Sequence, residues 1–585
     1  MRSRFFISIC AVLYLLAHAG WSPAADLALD YRQVTLKNGM RVITLEDFGC
    51  PIVAVEVWFH VGSKDELPER QGFAHMFEHM MFRGTDRLGS TDHFDHLRRT
   101  GGSCNAYTSF DVTVYHERLP ADQLELALWL EAERVGFLKI DQKNYDTERK
   151  VVEEERRLGL NRPYGSLPEK LLAQIFPSHP YRWSPIGNIP HLRAAAVGEL
   201  RDFFARYYVP NNATLVIVGA VKHEESQRLA RRYFEWMPRE ADPPKITIHD
   251  PQPTQARTVT LRDDNAPAPI CGIVWRTVPA NHDDQVPLEL LATILGGGDS
   301  SRLYREIVAD KQLGVVAMAG STAFEQDGLI GAGAVMAPFS GNKDKILDII
   351  HAQIEKARAE PVSAKELTKA KNQMLAAIVT SSLTVQSKAS LLGSTAVIEG
   401  DVSRVNRRLE RIRAVTAADL QRVARDYLRP ERALTIHVEQ NLLGTVFGKL
   451  FGTKEESAPI TAKPESGAAP PAKPGLRRPA DFPAEAPVAA LAEPKFPRDY
   501  QTRTLANGLK VYVVSRSQVP YVSITLGLPT GAWTETKPGT VSLALAMPVK
   551  GTVRHTEKEL AEELESYAIS LGGGGGMDSA SMSAG

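Results

Sequence analysis

The chain has few cysteines and no excess of charge of either sign. Of four cysteines in 585 residues, one lies in an N-terminal apolar run that we expect to be removed. The other three, Cys50, Cys104 and Cys271, are sparse and odd in number, which excludes a disulfide framework. Basic and acidic residues both total 69. Because neither sign dominates, the composition indicates no nucleic-acid partner and no acidic disordered tail.

Long apolar runs are also missing beyond the N-terminus. There, Arg2 and Arg4 precede an apolar run from Phe5 to Ala17, and small residues follow up to Ala25. This pattern predicts a cleaved secretory signal peptide at residues 1–25, which is too short to span a membrane. We therefore expect a secreted, periplasmic protein without a membrane span.

The most informative segment is the pentad HMFEH, which runs from His75 to His79. On a helix, His75 and His79 lie one turn apart on one face, so both imidazoles can bind one metal ion. Zinc held by two imidazoles and one further protein ligand keeps a position open for water. Glu78 lies on the same face, where a carboxylate can act as general base on that water.

The same residues have a structural interpretation as a polar helix face, or as core histidines satisfied by hydrogen bonds. The segment is mostly apolar, however, and three ionisable groups crowded into it are costly unless they are paired or bind a metal. We therefore favour a metal site with His75 and His79 as ligands and Glu78 as the base.

The third ligand is expected on a second predicted helix, Asp141 to Leu160. Glu148 and Glu155 lie seven residues apart on one face of this helix, with two valines between them. That half-apolar face should pack inward and carry both carboxylates with it. Glu155 would then bind the metal, and Glu148 would support a ligand from behind. A run of glutamates such as Glu153 to Glu155 is usually a solvated helix face. Spacing alone does not select Glu155 from this run.

The chain is expected to comprise five parts. These are a signal peptide (1–25), a zinc-binding peptidase domain (26–240), a second α+β domain (241–440), a linker rich in proline and alanine (441–495) and a truncated repeat of the first domain (496–585). The second domain has no metal-ligand cluster and holds predicted helices at Ala364 to Ser382 and Ala417 to Tyr427. Within the linker, we expect Gly452 to Lys495 to be semi-extended and poorly ordered.

The final part repeats the beginning of the chain. Residues 500–532 match residues 31–63 at one offset, and residues 539–552 match residues 72–85 after a slip of two residues. In this copy the pentad reads SLALA, from Ser542 to Ala546, so every metal-binding side chain is replaced. We expect a zinc-competent half followed by the truncated start of an inactive half. So short a stretch should be only partly ordered, because it can bury little core.

These motifs resemble the pitrilysin/insulinase family of zinc metallopeptidases, the inverted zincins, in the branch of mitochondrial processing peptidase and its bacterial relatives. The likeness rests on the pentad, on ERKVVEEE from Glu148 to Glu155, and on six further segments in the family's order. Those segments are NGMRV (38–42), VGSKDE (61–66), FRGT (82–85), GGSCNAYTSFDVTVY (101–115), YYVPNNATLVIVGAV (207–221) and LGGGDSSRLYREI (295–307). The resemblance implies an α+β fold of tandem α/β-sandwich domains, with mostly antiparallel sheets flanked by helices, as in half of a clamshell.

The resemblance implies the same metal site as the residues do. It assigns one Zn²⁺ per chain to His75, His79 and Glu155, with Glu78 as the base and Glu148 as the supporting carboxylate. The resemblance, and not the helix spacing, selects Glu155 from the run of glutamates.

The resemblance also assigns Asn105 and Ala106 to an edge strand that pairs with the substrate backbone. Such a strand has unpaired N–H and C=O groups and can accept a peptide as one further strand. The alternative is an ordinary hairpin strand, although the Gly101-Gly102 pair suits a close approach by another backbone.

We therefore predict a secreted zinc endopeptidase that hydrolyses peptides or unfolded polypeptides. Two alternatives stay open. One is a non-catalytic scaffold subunit. The other is an enzyme half that is active only with a partner, as a homodimer or with a separate inactive-half chain. In the family, an arginine and a tyrosine of the inactive half reach the substrate, whereas here Arg305 is followed by Leu313-Gly314-Val315 without a tyrosine.

Overall fold

The computed structural model describes residues 28–440, 473, 475–490, 500–515 and 519–585. The predicted signal peptide and most of the predicted linker therefore lie outside the described residues. Within the described ranges, the helices are all too short or too polar to cross a membrane.

The strands and helices alternate along most of the chain. The strands are β1 (Tyr31–Thr35), β2 (Arg41–Glu46), β3 (Ile52–Phe59), β4 (Ser103–Thr108), β5 (Thr113–Pro120), β6 (Ala213–Gly219), β7 (Arg257–Asp263), β8 (Ile270–Arg276), β9 (Gly314–Ala323), β10 (Gly328–Met336), β11 (Leu434–Gln440), β12 (Tyr500–Thr504), β13 (Lys510–Val514), β14 (Ile524–Leu528), β15 (Leu571–Gly575) and β16 (Ala580–Ala584). The helices are α1 (Phe73–Met80), α2 (Asp92–Arg99), α3 (Leu124–Phe137), α4 (Gln142–Leu160), α5 (Leu167–Ile175), α6 (Ile189–Ala194), α7 (Val197–Tyr207), α8 (His223–Phe234), α9 (Gln285–Gly296), α10 (Lys343–Ala359), α11 (Ala364–Thr380), α12 (Val385–Val397), α13 (Arg404–Ala414), α14 (Ala417–Tyr427), α15 (Thr540–Ala546) and α16 (Glu557–Ser566), with a π-helical segment at Tyr304–Asp310.

The first sheet has six strands in the order β1-β2-β6-β3-β5-β4, and all neighbours are antiparallel except β2 and β6. Its central strands β3 and β6 read IVAVEVWF and ATLVIVG, which are almost continuously apolar. Such a run is typical of a strand that is buried on both faces. Val55 and Val57 of β3 join the cluster formed with α1, α3 and α8. Ala54 and Trp58 point to the opposite face, which α12 covers.

The second sheet has five strands in the order β7-β11-β8-β10-β9, and only β7 and β11 are parallel. One face packs against α9, α10 and α14, where Trp275 of β8 is among the buried side chains. The other face, with Ile436 of β11, packs against Phe176 and Tyr181, which follow α5. The predicted fold, with mostly antiparallel sheets flanked by helices, is confirmed.

The repeated segment forms the same local elements as the start of the chain. β12 pairs with β13 as β1 pairs with β2, and the order β14-β16-β15 repeats the order β3-β5-β4. Gly508 has a φ of 88° and Gly39 has a φ of 91°, so the turn between the first two strands is left-handed in both copies. In the first sheet, β6 joins β2 to β3. In the described part of the second copy no strand stands between β13 and β14, so the sheet is divided there.

Part of the predicted linker is ordered, contrary to the expectation. We expect residues 452–495 to be poorly ordered from their composition, and this is wrong for residues 475–490, which we call the strap. The strap lies against the first sheet's helices, and Phe482 within it is only 7% exposed. An aromatic side chain that is buried in this way holds the segment in place, although it forms no regular secondary structure.

Gly393 of α12 allows the helix to lie close to β3. A Cβ atom added there would stand 2.2 Å from the indole ring of Trp58. We predict that Gly393→Ala lowers the free energy of unfolding by roughly 1–3 kcal/mol through overpacking. The loss should occur although alanine favours a helix by about 1 kcal/mol over glycine. Gly159 of α4 has open space around its missing Cβ, so the control Gly159→Ala should be neutral or stabilising. Calorimetric unfolding of both variants checks the prediction. Equal changes in the free energy of unfolding, in the same direction, would contradict it.

Candidate metal centre

Helix α1 is held at its first turn by a buried carboxylate. The helix begins after Gly72, which has a φ of 99°. Glu66 accepts hydrogen bonds from the backbone N–H groups of Gly72 (2.8 Å) and Ala74 (2.9 Å). Free N–H groups at a helix start need such an acceptor. From this anchored start, the spacing of four residues brings the rings of His75 and His79 to a centroid distance of 4.9 Å.

Helix α4 brings the third donor to the two imidazoles. The Oε2 atom of Glu155 lies 3.5 Å from Nε2 of His75 and 3.4 Å from Nε2 of His79. An ion bound tetrahedrally with bonds of about 2.0–2.1 Å separates its donors by about 3.3–3.4 Å. The three side chains therefore fit a zinc ion in both donor type and spacing. Within the described residues, no second group of three histidine, cysteine or acidic side chains converges in this way.

Burial and mutual contacts set the protonation of the three donors. Burial, together with the neighbouring His79, lowers the pKa of His75 to about 4, so this imidazole is neutral at pH 7. Burial opposes charge on His79, but hydrogen bonds to Glu148 and Glu155 raise its pKa to about 9. The hydrogen bond from His79 lowers the pKa of Glu155. A metal cation bound at the Nε2 atoms would replace the proton that Nε2 of His79 otherwise shares with Glu155.

Glu148 contacts the ring nitrogen of His79 that does not face Glu155. Its Oε2 atom lies 3.3 Å from Nδ1 of His79, and Nε of Arg83 lies 2.5 Å from its Oε1 atom. Burial raises the pKa of Glu148, but the hydrogen bonds from His79 and Arg83 outweigh it and lower that pKa. A carboxylate on Nδ1 fixes the tautomer that leaves Nε2 for a metal. The structure thus places Glu148 at Nδ1 of His79, and its supporting role stays a prediction.

Glu78 lies beside the three donors without joining them. Its Oε2 atom is 3.9 Å from Nε2 of His75. The hydroxyl of Thr108 donates to the same oxygen at 2.7 Å. Burial raises the pKa of Glu78, while the Thr108 hydrogen bond lowers it in part. The Thr108 hydrogen bond therefore fixes this carboxylate beside the donor group, in which the Glu155 side chain is 51% exposed.

Asn105 and Ala106 lie on β4, which forms an edge of the first sheet and pairs with β5 alone. The N–H group of Ala106 donates to the side-chain oxygen of its own neighbour Asn105 at 2.9 Å. This N–H is thus satisfied locally and not by another strand. Thr108 at the end of β4 binds Glu78, so the free edge of the sheet runs to the candidate metal centre.

Comparison with known proteins identifies the family. The family described as Insulinase (Peptidase family M16) matches residues 41–185, and the one described as Peptidase M16 inactive domain matches residues 195–374. The chain belongs to the M16 (insulinase) peptidase family. The family predicted from the motifs is confirmed, and so is the prediction that the chain carries a peptidase domain.

Known proteases resemble the chain over most of its length. The zinc protease PqqE of Helicobacter pylori is 29% identical over 418 residues, which cover 70% of this chain and 93% of that protein. The crystal structure of a protease from Helicobacter pylori has a TM-score of 0.67 at 28% identity and covers 70% of this chain and 100% of that one. The periplasmic protease PqqL from Escherichia coli shares the fold, with a TM-score of 0.62 at 18% identity, over 96% of this chain and 64% of that chain.

Three supporting residues of this M16 site were missed by sequence reasoning, namely Glu66, Arg83 and Thr108. Only Glu66 has a signal that could have revealed it. Glu535 occupies the matching position in the repeat and accepts from the N–H groups of Gly539 and Val541, each at 2.7 Å. Because the repeat keeps this carboxylate and replaces the metal donors, Glu66 supports the helix and not the chemistry. Arg83 and Thr108 act through tertiary contacts that no local pattern reports.

The two carboxylates at the helix starts give a matched pair of variants. We predict that Glu66→Ala lowers the free energy of unfolding by roughly 1–3 kcal/mol, because two buried N–H groups lose their acceptor. Glu535→Ala should lower the free energy of unfolding by less, because α15 is more exposed and water can reach its N–H groups. Denaturant unfolding of both variants checks the difference. A Glu66→Ala effect no larger than that of Glu535→Ala would contradict this account.

Proposed function

We propose that the chain is a zinc-dependent endopeptidase that hydrolyses peptides or unfolded polypeptides. The observation that carries the proposal is the donor geometry of His75, His79 and Glu155. Their donor atoms have tetrahedral spacing, and one side of the group is open to solvent. Three protein ligands with a free position are typical of catalytic zinc, whereas structural zinc sites are closed by four. Zinc proteases among the relatives support the choice of metal.

Glu78 is the base in this proposal. A zinc ion bound at this site would polarise the scissile carbonyl and lower the pKa of a water molecule. The Glu78 carboxylate accepts the proton of the attacking water and then donates it to the leaving amine. Thr108 holds the carboxylate in place for both steps through its hydrogen bond of 2.7 Å. Glu148 keeps the His79 ring in the orientation that metal binding needs.

The edge strand β4 supplies the substrate site. An extended peptide that pairs with β4 would place its backbone beside Glu78, because Thr108 links the end of β4 to that carboxylate. A carbonyl group of the bound peptide could accept a hydrogen bond from the Ala106 N–H, which otherwise donates to the Asn105 side chain. Main-chain pairing of this kind requires an unfolded segment and tolerates many side chains. We therefore infer that Asn105 and Ala106 bind the substrate backbone.

Localisation and assembly rest on the sequence. The charged, apolar and small residues at positions 1–25 support secretion into the periplasm. The complete donor set favours an enzyme over a non-catalytic scaffold subunit. Dependence on a homodimer or on an inactive-half partner stays a prediction.

The ligand assignment predicts the metal content. Purified protein should hold about one zinc ion per chain, and His75→Ala and Glu155→Ala should lose most of it. The control is Glu154→Ala, because Glu154 pairs with Arg157 on the exposed face of α4 and should keep its zinc. Elemental analysis for zinc and iron checks all four proteins. Iron in place of zinc, or full metal content in Glu155→Ala, would contradict the assignment.

The assignment of the base predicts a separation of metal binding from catalysis. Glu78→Gln can still accept the Thr108 hydrogen bond but cannot take up the proton. Zinc content should stay normal, while the rate of peptide hydrolysis falls by about a hundredfold or more. Thr108→Val keeps the shape of the side chain and should give a smaller loss, because Glu78 remains but is less well fixed. Normal turnover by Glu78→Gln would show that another group is the base.

A further inference from the structure

The strap, residues 475–490, places one arginine in a buried acidic position. Nε of Arg478 donates to Oε1 of Glu133 at 2.6 Å, and a second nitrogen donates to Oε2 at 2.5 Å. The same guanidinium binds both carboxylate oxygens of Asp86 and lies 3.4 Å above the ring of Phe137. The Arg478 side chain is 9% exposed and Glu133 is fully buried. An arginine fork between two carboxylates is among the strongest side-chain arrangements in proteins.

The rest of the strap is fixed along α3 and α8. Phe482 packs against the rings of Tyr233 and Trp236. The indole N–H of Trp129 donates to the carbonyl of Pro483 at 3.0 Å. Farther along, the side-chain amide of Gln123 donates to the carbonyl of Ala489 and accepts from its N–H. These contacts hold the strap to α3 at several points, so Arg478 is held at a defined place.

That place is the junction between the two helices that carry the metal donors. The turn after α1 meets the loop before α4 through a bridge between Thr85 and Leu138. The N–H of Lys139 also donates to the carbonyl of Gly84 at 3.1 Å. Asp86 lies in the turn after α1, and Glu133 lies on α3, which leads into the loop before α4. Arg478 binds both residues and therefore joins the two segments.

Glu133 depends on Arg478 for its charge balance. Its other contacts are the hydroxyl of Thr85 at 3.2 Å and Arg87 at 3.9 Å. Without Arg478, this buried carboxylate would keep only the more distant Arg87, at 3.9 Å, as a cationic partner. An uncompensated buried charge is costly, and the structure around it rearranges to admit water or a proton. The segment that would have to rearrange is the turn that relates α1 to α4.

We propose that Arg478 is a positioning residue for the metal centre, because it clamps the turn after α1 to α3 and thereby fixes α1 against α4. The proposal rests on the proposed function, since it takes His75, His79 and Glu155 as the ligands. It assigns to the strap a role in metal affinity in addition to its role as a connection.

The test compares full-length variants at a temperature well below unfolding. Zinc affinity is measured by competition with a chromophoric chelator, and thermal unfolding is measured on metal-free protein. Arg478→Ala should weaken zinc binding by about ten- to a hundredfold, the range for groups that act behind metal ligands. Arg478→Lys should recover only part of this loss, because lysine keeps the charge but not the fork. Asp86→Asn, which buries no new charge, should weaken binding several-fold.

Two controls separate positioning from simple stabilisation. Arg477→Ala changes the exposed neighbour and should leave both measurements unchanged. Phe482→Ala removes one apolar contact of the strap but none of the bonds that Arg478 forms with Glu133 and Asp86. It should therefore lower the unfolding temperature and change zinc affinity by less than about twofold. Wild-type zinc affinity in Arg478→Ala or Asp86→Asn, with a fall only in unfolding temperature, would overturn the positioning role. Wild-type protein that binds no zinc would refute the proposed function itself and the positioning role with it.

Discussion

The proposed metal centre depends on how two helices that are distant in sequence meet. α1 supplies the imidazoles of His75 and His79, and α4 supplies the carboxylate of Glu155. Their donor atoms reach 3.4–3.5 Å only when the two helices keep one relative position. α1 is fixed at both ends, by Glu66 at its first turn and by backbone contacts of the following turn with the loop before α4. Holding both ends matters for the proposed ligands, because a donor displaced by about 1 Å would no longer fit a tetrahedral ion.

The internal repeat separates what the fold needs from what the chemistry needs. Both copies keep the left-handed glycine before the helix and the carboxylate that accepts from its first N–H groups. The repeat replaces the donors with Ser542 and Ala546, and it has no counterpart of Glu78. Because the local structure survives these replacements, the donors of the first copy are not required to form the helix. Their burial in an otherwise apolar segment needs another reason, and a bound cation supplies one.

Much of the site could be predicted because it is encoded in local spacing. The pentad falls on α1, and the predicted helix from Asp141 matches α4 to within one residue. The predicted helix at Ala417 to Tyr427 has the same bounds as α14. Periodicity of this kind reports which face of an element is apolar, and the paired imidazoles follow from it directly.

Contacts between distant segments could not be predicted in the same way. Thr108 binds Glu78 across 30 residues, and Arg478 binds Glu133 across 345 residues. The composition of the linker indicated poor order. It gave no sign that Arg478 and Phe482 have buried partners. Likewise, the apolar face of α12 gives no sign that it covers the first sheet and not the second. A pattern shows that a face will be buried, but it does not identify the surface that buries it.

The most direct test of the account is anomalous diffraction at the zinc absorption edge from crystals of the full-length protein grown without added metal. The account predicts one strong anomalous peak per chain, about 2.0–2.1 Å from the donor atoms of His75, His79 and Glu155. It predicts no peak beside residues 542–546 of the repeat. A peak at another place, or no peak near His75 and His79, would contradict the assignment of this site as the metal centre.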